Sequence, residues 1–159
     1  ENGVKAIALR FFNVYGPGQS MDGAYAAVIP RWINAMINNE EIFIYGDGET
    51  SRDFCYVENV IQANILAATI EVKEAKNQIY NIAVNDSTSL NKLHQLIANE
   101  LRKQGIIYEL DPTYLDFRKG DVRHSRADIN KANSLLGYFP LFDVRKGLKS
   151  SMPWYITHV

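Results

Sequence analysis

"IFIYGDGETSRDFCYVENV", residues 42–60, decides how this chain is built. Ile42 to Tyr45 is a short apolar run of strand type, and the glycines and carboxylates of residues 46–51 end it as a loop. From Val57 an apolar period of 3.6, carried by Val57, Val60, Ile61, Asn64, Ile65 and Ala68, predicts a helix to about Ile70. The loop also raises a question of function. Gly46-Asp47-Gly48-Glu49-Thr50-Ser51 superficially fits the Gly-x-Gly-x-x-small turn that cradles a dinucleotide. That turn needs a long buried strand before it, a helix directly after it and an acidic residue ~20 positions on. Here the alternating stretch Arg52–Tyr56 delays the helix, and two loop carboxylates would repel a pyrophosphate. The cofactor reading fails. Arg52 stands apart, because a guanidinium can grip a phosphate with two charge-assisted bonds. A plain surface ion pair with Asp53 or Glu49 is the alternative.

Outward from this stretch, strands and helices alternate. Glu1-Asn2-Gly3 reads as a helix end, with a left-handed residue as cap. Val4 to Phe12 reads as a strand of the kind buried on both faces of a parallel sheet. Gly16-Pro17-Gly18-Gln19-Ser20 breaks it, and a helix follows from about Val28 to Asn38, with Pro30 in its first turn. A strand is expected over Ile79–Val84, then a turn and N-cap within residues 85–89, then a helix over Leu90–Lys103 stopped by Gly105. Ile106–Leu110 is expected as a strand and residues 111–127 as a charged, mostly irregular segment. Asp128 is the expected N-cap of a helix ending at Gly137, and a last helix is expected over Val144–Ser151. The order is that of an α/β fold in a single unit, residues 1–159, without internal repeats.

The 159 residues are 47% hydrophobic and 22% charged, with a formal net charge of −1. That balance gives no reason to expect nucleic acid or an anionic membrane as partner, so anion binding would have to come from local arginines. One cysteine, Cys55, excludes an internal disulfide and suits a reducing compartment, with the cytoplasm as the default expectation. No apolar run approaches the ~20 residues of a membrane span.

Three segments carry chemistry. Asn13 ends the strand Ile7–Phe12, at the strand end where open parallel sheets bind ligands, although an Asn there can simply turn the chain. Arg52 is the second. In Phe117–Ser125, Arg118, Lys119, Arg123 and His124 surround Gly120 and Asp121, a mix suited to an anionic ligand that also bears hydroxyls, or to a solvated charged loop. His94, His124 and His158 lack paired ligand spacing, so no metal is expected, and His94 reads as a surface or core-edge residue. No Gly-x-Ser-x-Gly elbow is present.

Taken jointly, "LRFFNVYGPGQ", "IFIYGDGETSRDFCYVENV", "IYNIAV" and "FRKGDVRHSRADINKA" resemble, in this order, the extended short-chain dehydrogenase/reductase superfamily of nucleotide-sugar epimerases and dehydratases. "GAYAAVIPRW" and "SMPWY" resemble more closely the bacterial UDP-N-acetylglucosamine 4-epimerases of surface-polysaccharide biosynthesis. The resemblance covers essentially the whole chain. It implies the last Rossmann elements of such an enzyme plus its small α/β substrate-binding domain, with the NAD-binding part expected upstream of Glu1. By the same resemblance Asn13, Arg52 and Arg118 contact the substrate diphosphate and Asp121 the uridine ribose. Phe43 and Tyr45 hold the uracil, Val28 lines the nucleotide pocket, and Gln19, Ala27 and Ser125 line the sugar pocket. Ser125 stands where a bulky tyrosine would exclude an N-acetyl group. Backbone near Phe11 and Phe12 faces the nicotinamide of NAD.

Chemistry in this family is transient hydride transfer at carbon 4. It needs a Tyr-x-x-x-Lys pair and a Gly-rich dinucleotide turn. Neither lies in these residues, since Tyr114 is followed at the required spacing by Arg118. The chain alone is therefore expected to bind UDP-sugar without turning it over, and full-length relatives are expected to be homodimers. A self-standing nucleotide-sugar binding module is the alternative of a different class. A UDP-glucuronate decarboxylase or dehydratase is the enzymatic one, and Ser125 and "SMPWY" argue against it.

Overall fold

The computed structural model describes residue 3, residues 5–20 and residues 27–158. The expected α/β order is present. In chain order the elements are β1 (Ile7–Phe11), β2 (Val14–Tyr15), α1 (Val28–Ile37), β3 (Phe43–Tyr45), β4 (Ser51–Arg52), β5 (Cys55–Tyr56), α2 (Val57–Thr69), β6 (Gln78–Ile82), β7 (Thr88–Ser89), α3 (Leu90–Lys103), β8 (Thr113–Leu115), β9 (His124–Ser125), α4 (Asn130–Leu136) and α5 (Val144–His158). β1 pairs with β6, β2 with β5 and β3 with β8, all in parallel. β4 lies between β7, antiparallel, and β9, parallel. Asn13 turns the chain from β1 into β2 at φ 36°.

Two cores result. One gathers Ile29, Trp32, Ile33 and Met36 of α1 with Leu93, Ile97 and Leu101 of α3 and Leu148, Met152 and Tyr155 of α5. The other lies between the β1–β6 pair, α2 and α4, around Ala63, Tyr80, Ile82, Ala132 and Leu136. The i, i+3, i+4 spacing of α1 and α3 puts their apolar faces where the period predicts. Ser89 caps α3 by accepting from the Lys92 amide, and Gly137 ends α4 in the left-handed region. Asp128 accepts from the Asn130 amide, one residue earlier than a strict N-cap. His94 sits at the edge of the first core, between the rings of Trp32 and Tyr108.

Several expectations need correction. Residues 1, 2 and 4 lie outside the described residues, and β1 begins only at Ile7. It is not buried on both faces: Ala8, Arg10 and Phe11 are exposed, and among the described residues only β6 pairs with it. The phase of α2 also differs. Asn59, Val60 and Ala63 are buried while Ile61, Asn64, Ile65 and Ala68 face outward. Apolar period alone misled there because a hydrogen-bonded Asn holds a core position. The Asn59 amide donates to the Phe142 carbonyl (2.8 Å), and its oxygen accepts from the amides of Leu141 (2.9 Å) and Phe142 (3.1 Å).

Ile106–Leu110 is not a strand. β3 finds its partner three residues later, at Thr113, whose amide donates to the Ile42 carbonyl. Strand propensity needs a backbone partner in register to become a strand. Finally, α5 does not stop at Ser151 but continues through Pro153 to His158. An interior proline costs about 3 kcal/mol. Burying Met152 and Tyr155 offsets it, each large apolar side chain contributing about 1.5–3 kcal/mol.

Asn59→Ala is expected to lower unfolding free energy by about 2–4 kcal/mol, because it strands the Leu141 and Phe142 amides without an acceptor. Asn64→Ala, on the outward face, should cost under about 1 kcal/mol. Urea denaturation of both variants checks the contrast.

Candidate functional site

β3 presents Phe43 and Tyr45 on one side and buries Ile44 on the other, as strand alternation requires. β4 aims Arg52 to that same side and Ser51 to the opposite one, where Ser51 meets the His124 imidazole (2.9 Å) and the Ser87 hydroxyl (2.7 Å). β4 is only two residues long, and Asp53 anchors the chain just beyond it. Its carboxylate is fully buried and accepts from the amides of Val84 (3.0 Å) and Ala127 (3.2 Å). Burial pushes the Asp53 pKa up, and the backbone donors oppose that rise.

These elements enclose a cleft of about 260 Å³. Its wall contains seven of the residues named from sequence: Asn13, Val28, Phe43, Tyr45, Arg52, Arg118 and Asp121. Arg52 and Arg118 are 66 positions apart in sequence (118 − 52) and share this one hollow. Arg118 lies over the Tyr45 ring, 3.8 Å from its centroid, in a cation–π contact. Its hydrogen bond and charge hold the Tyr45 phenol below its ordinary range, with a smaller contribution from Arg31. Arg52 donates to Asp121 at 2.5 Å and to the Ser51 carbonyl at 2.9 Å. The ion-pair partner of Arg52 is thus Asp121, neither Asp53 nor Glu49.

Asn13 donates one amide proton to the Asp53 carbonyl, so it both turns the chain and borders the cleft. A smaller hollow of about 180 Å³ adjoins, sharing Asn13, Val28 and Phe54 and adding Ala27. Ser125 stands directly across from Arg52 in the β4–β9 register, beside the cleft and not in its wall. Gln19 is also outside the wall. Its amide donates to the Val14 carbonyl, and its Oε1 is buried without a partner among the described residues. Phe12 packs into the second core, and Phe11 borders a separate groove along β1 and α2. The structure brings neither into the cleft.

The remaining charges of residues 117–125 disperse. Arg123 pairs with Asp47, and His124 turns to Ser51. The glycines of the quoted loop serve this packing. Gly46 and Gly48 have φ of 82° and 76°, and an added Cβ would lie 2.4 Å from the Phe117 ring and 1.9 Å from Asn91 Oδ1. Both glycines thus let the loop pack closely against Phe117 and Asn91.

Sequence reasoning missed Arg31, Trp32, Thr50, Phe54 and Leu90 of the wall. Helical spacing from Val28 would have found Arg31 and Trp32, and strand alternation from Arg52 would have found Thr50. Leu90 and Phe54 depend on tertiary packing. Among the described residues no helix is long and apolar enough to cross a membrane, and no cluster of three His, Cys, Asp or Glu could hold a metal ion.

Residues 1–83, more than half of the chain, match the NAD dependent epimerase/dehydratase family. The chain belongs to that family. The UDP-glucose 4-epimerase of Thermotoga maritima, solved with UDP-glucose, is 36% identical with a TM-score of 0.89, over 99% of this chain and 48% of that one. The UDP-N-acetylglucosamine 4-epimerase of Methanobrevibacter ruminantium M1, solved with UDP-N-acetylmuramic acid, is 39% identical with a TM-score of 0.87, over 99% and 48%. A UDP-N-acetyl-alpha-D-glucosaminuronate decarboxylase of Bacillus cytotoxicus is 29% identical over 96% of this chain and 47% of its own length. The chain spans about half the length of these relatives.

Asp53→Ala is expected to destabilise the fold by about 2–5 kcal/mol, because the Val84 and Ala127 amides lose the buried carboxylate that accepts from them. Asp47→Ala, which breaks an exposed ion pair, should shift the denaturation midpoint far less. Chemical unfolding monitored by circular dichroism distinguishes them.

Proposed function

We propose that this chain supplies the UDP-sugar site of an NAD-dependent nucleotide-sugar epimerase, with UDP-N-acetylglucosamine as its substrate. One observation carries the reading: Arg52, Arg118, Tyr45 and Asp121 surround a single cleft. A UDP-sugar needs two cations for a diphosphate of about two negative charges, a flat ring for a pyrimidine and a carboxylate for ribose hydroxyls, and each charge-assisted bond contributes roughly 1.5–3 kcal/mol. In this reading the uracil lies at the Phe43 and Tyr45 end and Arg118 leaves the Tyr45 ring to meet phosphate. The sugar extends past Asn13 toward the hollow lined by Ala27, with Gln19 beyond it.

The small side chain of Ser125, in register with Arg52, supports room for an N-acetyl group. The similarity to a UDP-N-acetylglucosamine 4-epimerase supports the same sugar. The similarity to a UDP-N-acetyl-alpha-D-glucosaminuronate decarboxylase fits the nucleotide and the acetamido group.

NAD is the family's cofactor, and hydride transfer is the chemistry it supplies when bound. Gly46 and Gly48 do not fit it as a cradle, since they are packed against Phe117 and Asn91. No proton or hydride step is assigned to this chain. Its part is to bind the nucleotide, neutralise the diphosphate and orient the sugar.

Calorimetric titration with UDP, UDP-glucose and UDP-N-acetylglucosamine tests the reading. UDP should bind, and UDP-N-acetylglucosamine at least as tightly as UDP-glucose. Arg118→Ala should weaken UDP about tenfold or more, and Arg102→Ala, on the exposed surface of α3, by less than about twofold. Equal losses from the two variants would contradict the assignment.

A further inference from the structure

Arg52 is engaged by an anion that belongs to the chain itself. Its Nη2 donates to Asp121 and its Nη1 to the Ser51 carbonyl, so both arms of the guanidinium fork are committed. Arg118 differs: it lies on a ring face and, among the described residues, has no carboxylate partner. A ligand entering the cleft therefore meets Arg118 as an available cation and Arg52 as an occupied one.

Asp121 and Arg118 share one tight turn, closed by the Asp121 amide donating to the Arg118 carbonyl (3.2 Å) and passing through Gly120 at φ 83°. Both flanks of this turn are fixed. The Leu115 carbonyl accepts from the Gly46 amide (2.8 Å), the Arg123 carbonyl accepts from the Ser51 amide (2.9 Å), and the Arg123 side chain holds Asp47 (2.6 Å). Arg118 and Asp121 are thus held three residues apart on one backbone turn. The pair is part-exposed, 20% for Arg52 and 41% for Asp121, and pairs of that exposure are weak enough to be exchanged.

Resting on the UDP-sugar reading of the same cleft, we propose that Asp121 is a built-in competitor of the ligand's second phosphate at Arg52. Its carboxylate takes the place of a phosphate oxygen on Arg52 and must be displaced by the incoming ligand. A single phosphate is satisfied at Arg118 and gains little by competing with Asp121. A diphosphate reaches both guanidinium groups, and its second phosphate displaces the carboxylate, which becomes available to the ribose hydroxyls. Asp121 thereby weakens diphosphate binding by the cost of its own displacement and leaves a monophosphate held at Arg118 nearly unaffected.

The test uses inorganic pyrophosphate and orthophosphate, titrated calorimetrically into the full chain at low ionic strength. The wild-type chain should bind pyrophosphate more tightly than orthophosphate. Asp121→Asn should tighten pyrophosphate about two- to five-fold, the range set by a part-exposed ion pair. It should tighten orthophosphate by a smaller factor, widening the preference, because one phosphate is held at Arg118 without displacing the carboxylate, and Asp121→Ser should repeat both changes. Asp116→Asn, an exposed carboxylate of the same segment outside the cleft wall, should change neither by more than about 1.5-fold. In an Arg52→Gln background the gain from Asp121→Asn should vanish. The proposal is overturned by an absence of pyrophosphate binding, by no gain in either Asp121 variant, by an orthophosphate gain as large as the pyrophosphate gain, by an equal gain in Asp116→Asn, or by a gain that persists without Arg52. Pyrophosphate carries neither base nor sugar. Failure of UDP to bind beside an intact Asp121 effect would therefore sink the UDP-sugar reading alone, and UDP binding without that effect would sink only this inference.

Discussion

Two guanidinium groups repel each other, and a protein that holds them on one small cleft must fix them by something stronger than their own side chains. Here backbone pairing does it. Arg52 rides on β4, paired on both edges, by β7 and by β9. Arg118 rides on the segment between β8 and β9, each of which is paired in turn. Buried Asp53 pins the chain directly after Arg52 to the residues following β6 and β9. The charges converge because the strands that carry them are in register, and one carboxylate, Asp121, moderates the repulsion.

Much of the frame was legible before the structure. Ser89, Gly105 and Gly137 mark helix ends by local chemistry that acts within a turn, and the faces of α1 and α3 follow from period alone. What failed was non-local. β3 could not be matched to Thr113–Leu115 from propensity, because Ile106–Leu110 is the more strand-like string and only register decides between them. The outward phase of α2 depends on Asn59, a polar residue made a core residue by hydrogen bonds to a loop more than 80 positions away (141 − 59 and 142 − 59).

The site shows the same division. Phe43, Tyr45, Arg52, Arg118 and Asp121 could be named as single residues with plausible chemistry, each with an equally plausible role in a turn or an ion pair. Their convergence could not be derived from spacing, since it spans three separate strand pairings, and a family resemblance supplied it. Asp53 was read only as a partner for Arg52. Its burial and its amide donors belong to segments far along the chain, and nothing local in the sequence signals them. The quoted glycines carried the opposite lesson. A phosphate-loop pattern on paper is, in the fold, space cleared for Phe117 and Asn91.

A crystal structure of the chain with UDP bears most directly on the central claim. The account predicts a pyrophosphate within hydrogen-bonding distance of both the Arg52 and the Arg118 guanidinium groups, with the pyrimidine against Tyr45 and the Arg52–Asp121 contact opened. UDP bound elsewhere, or in the cleft with only one of the two arginines touching phosphate, would contradict it.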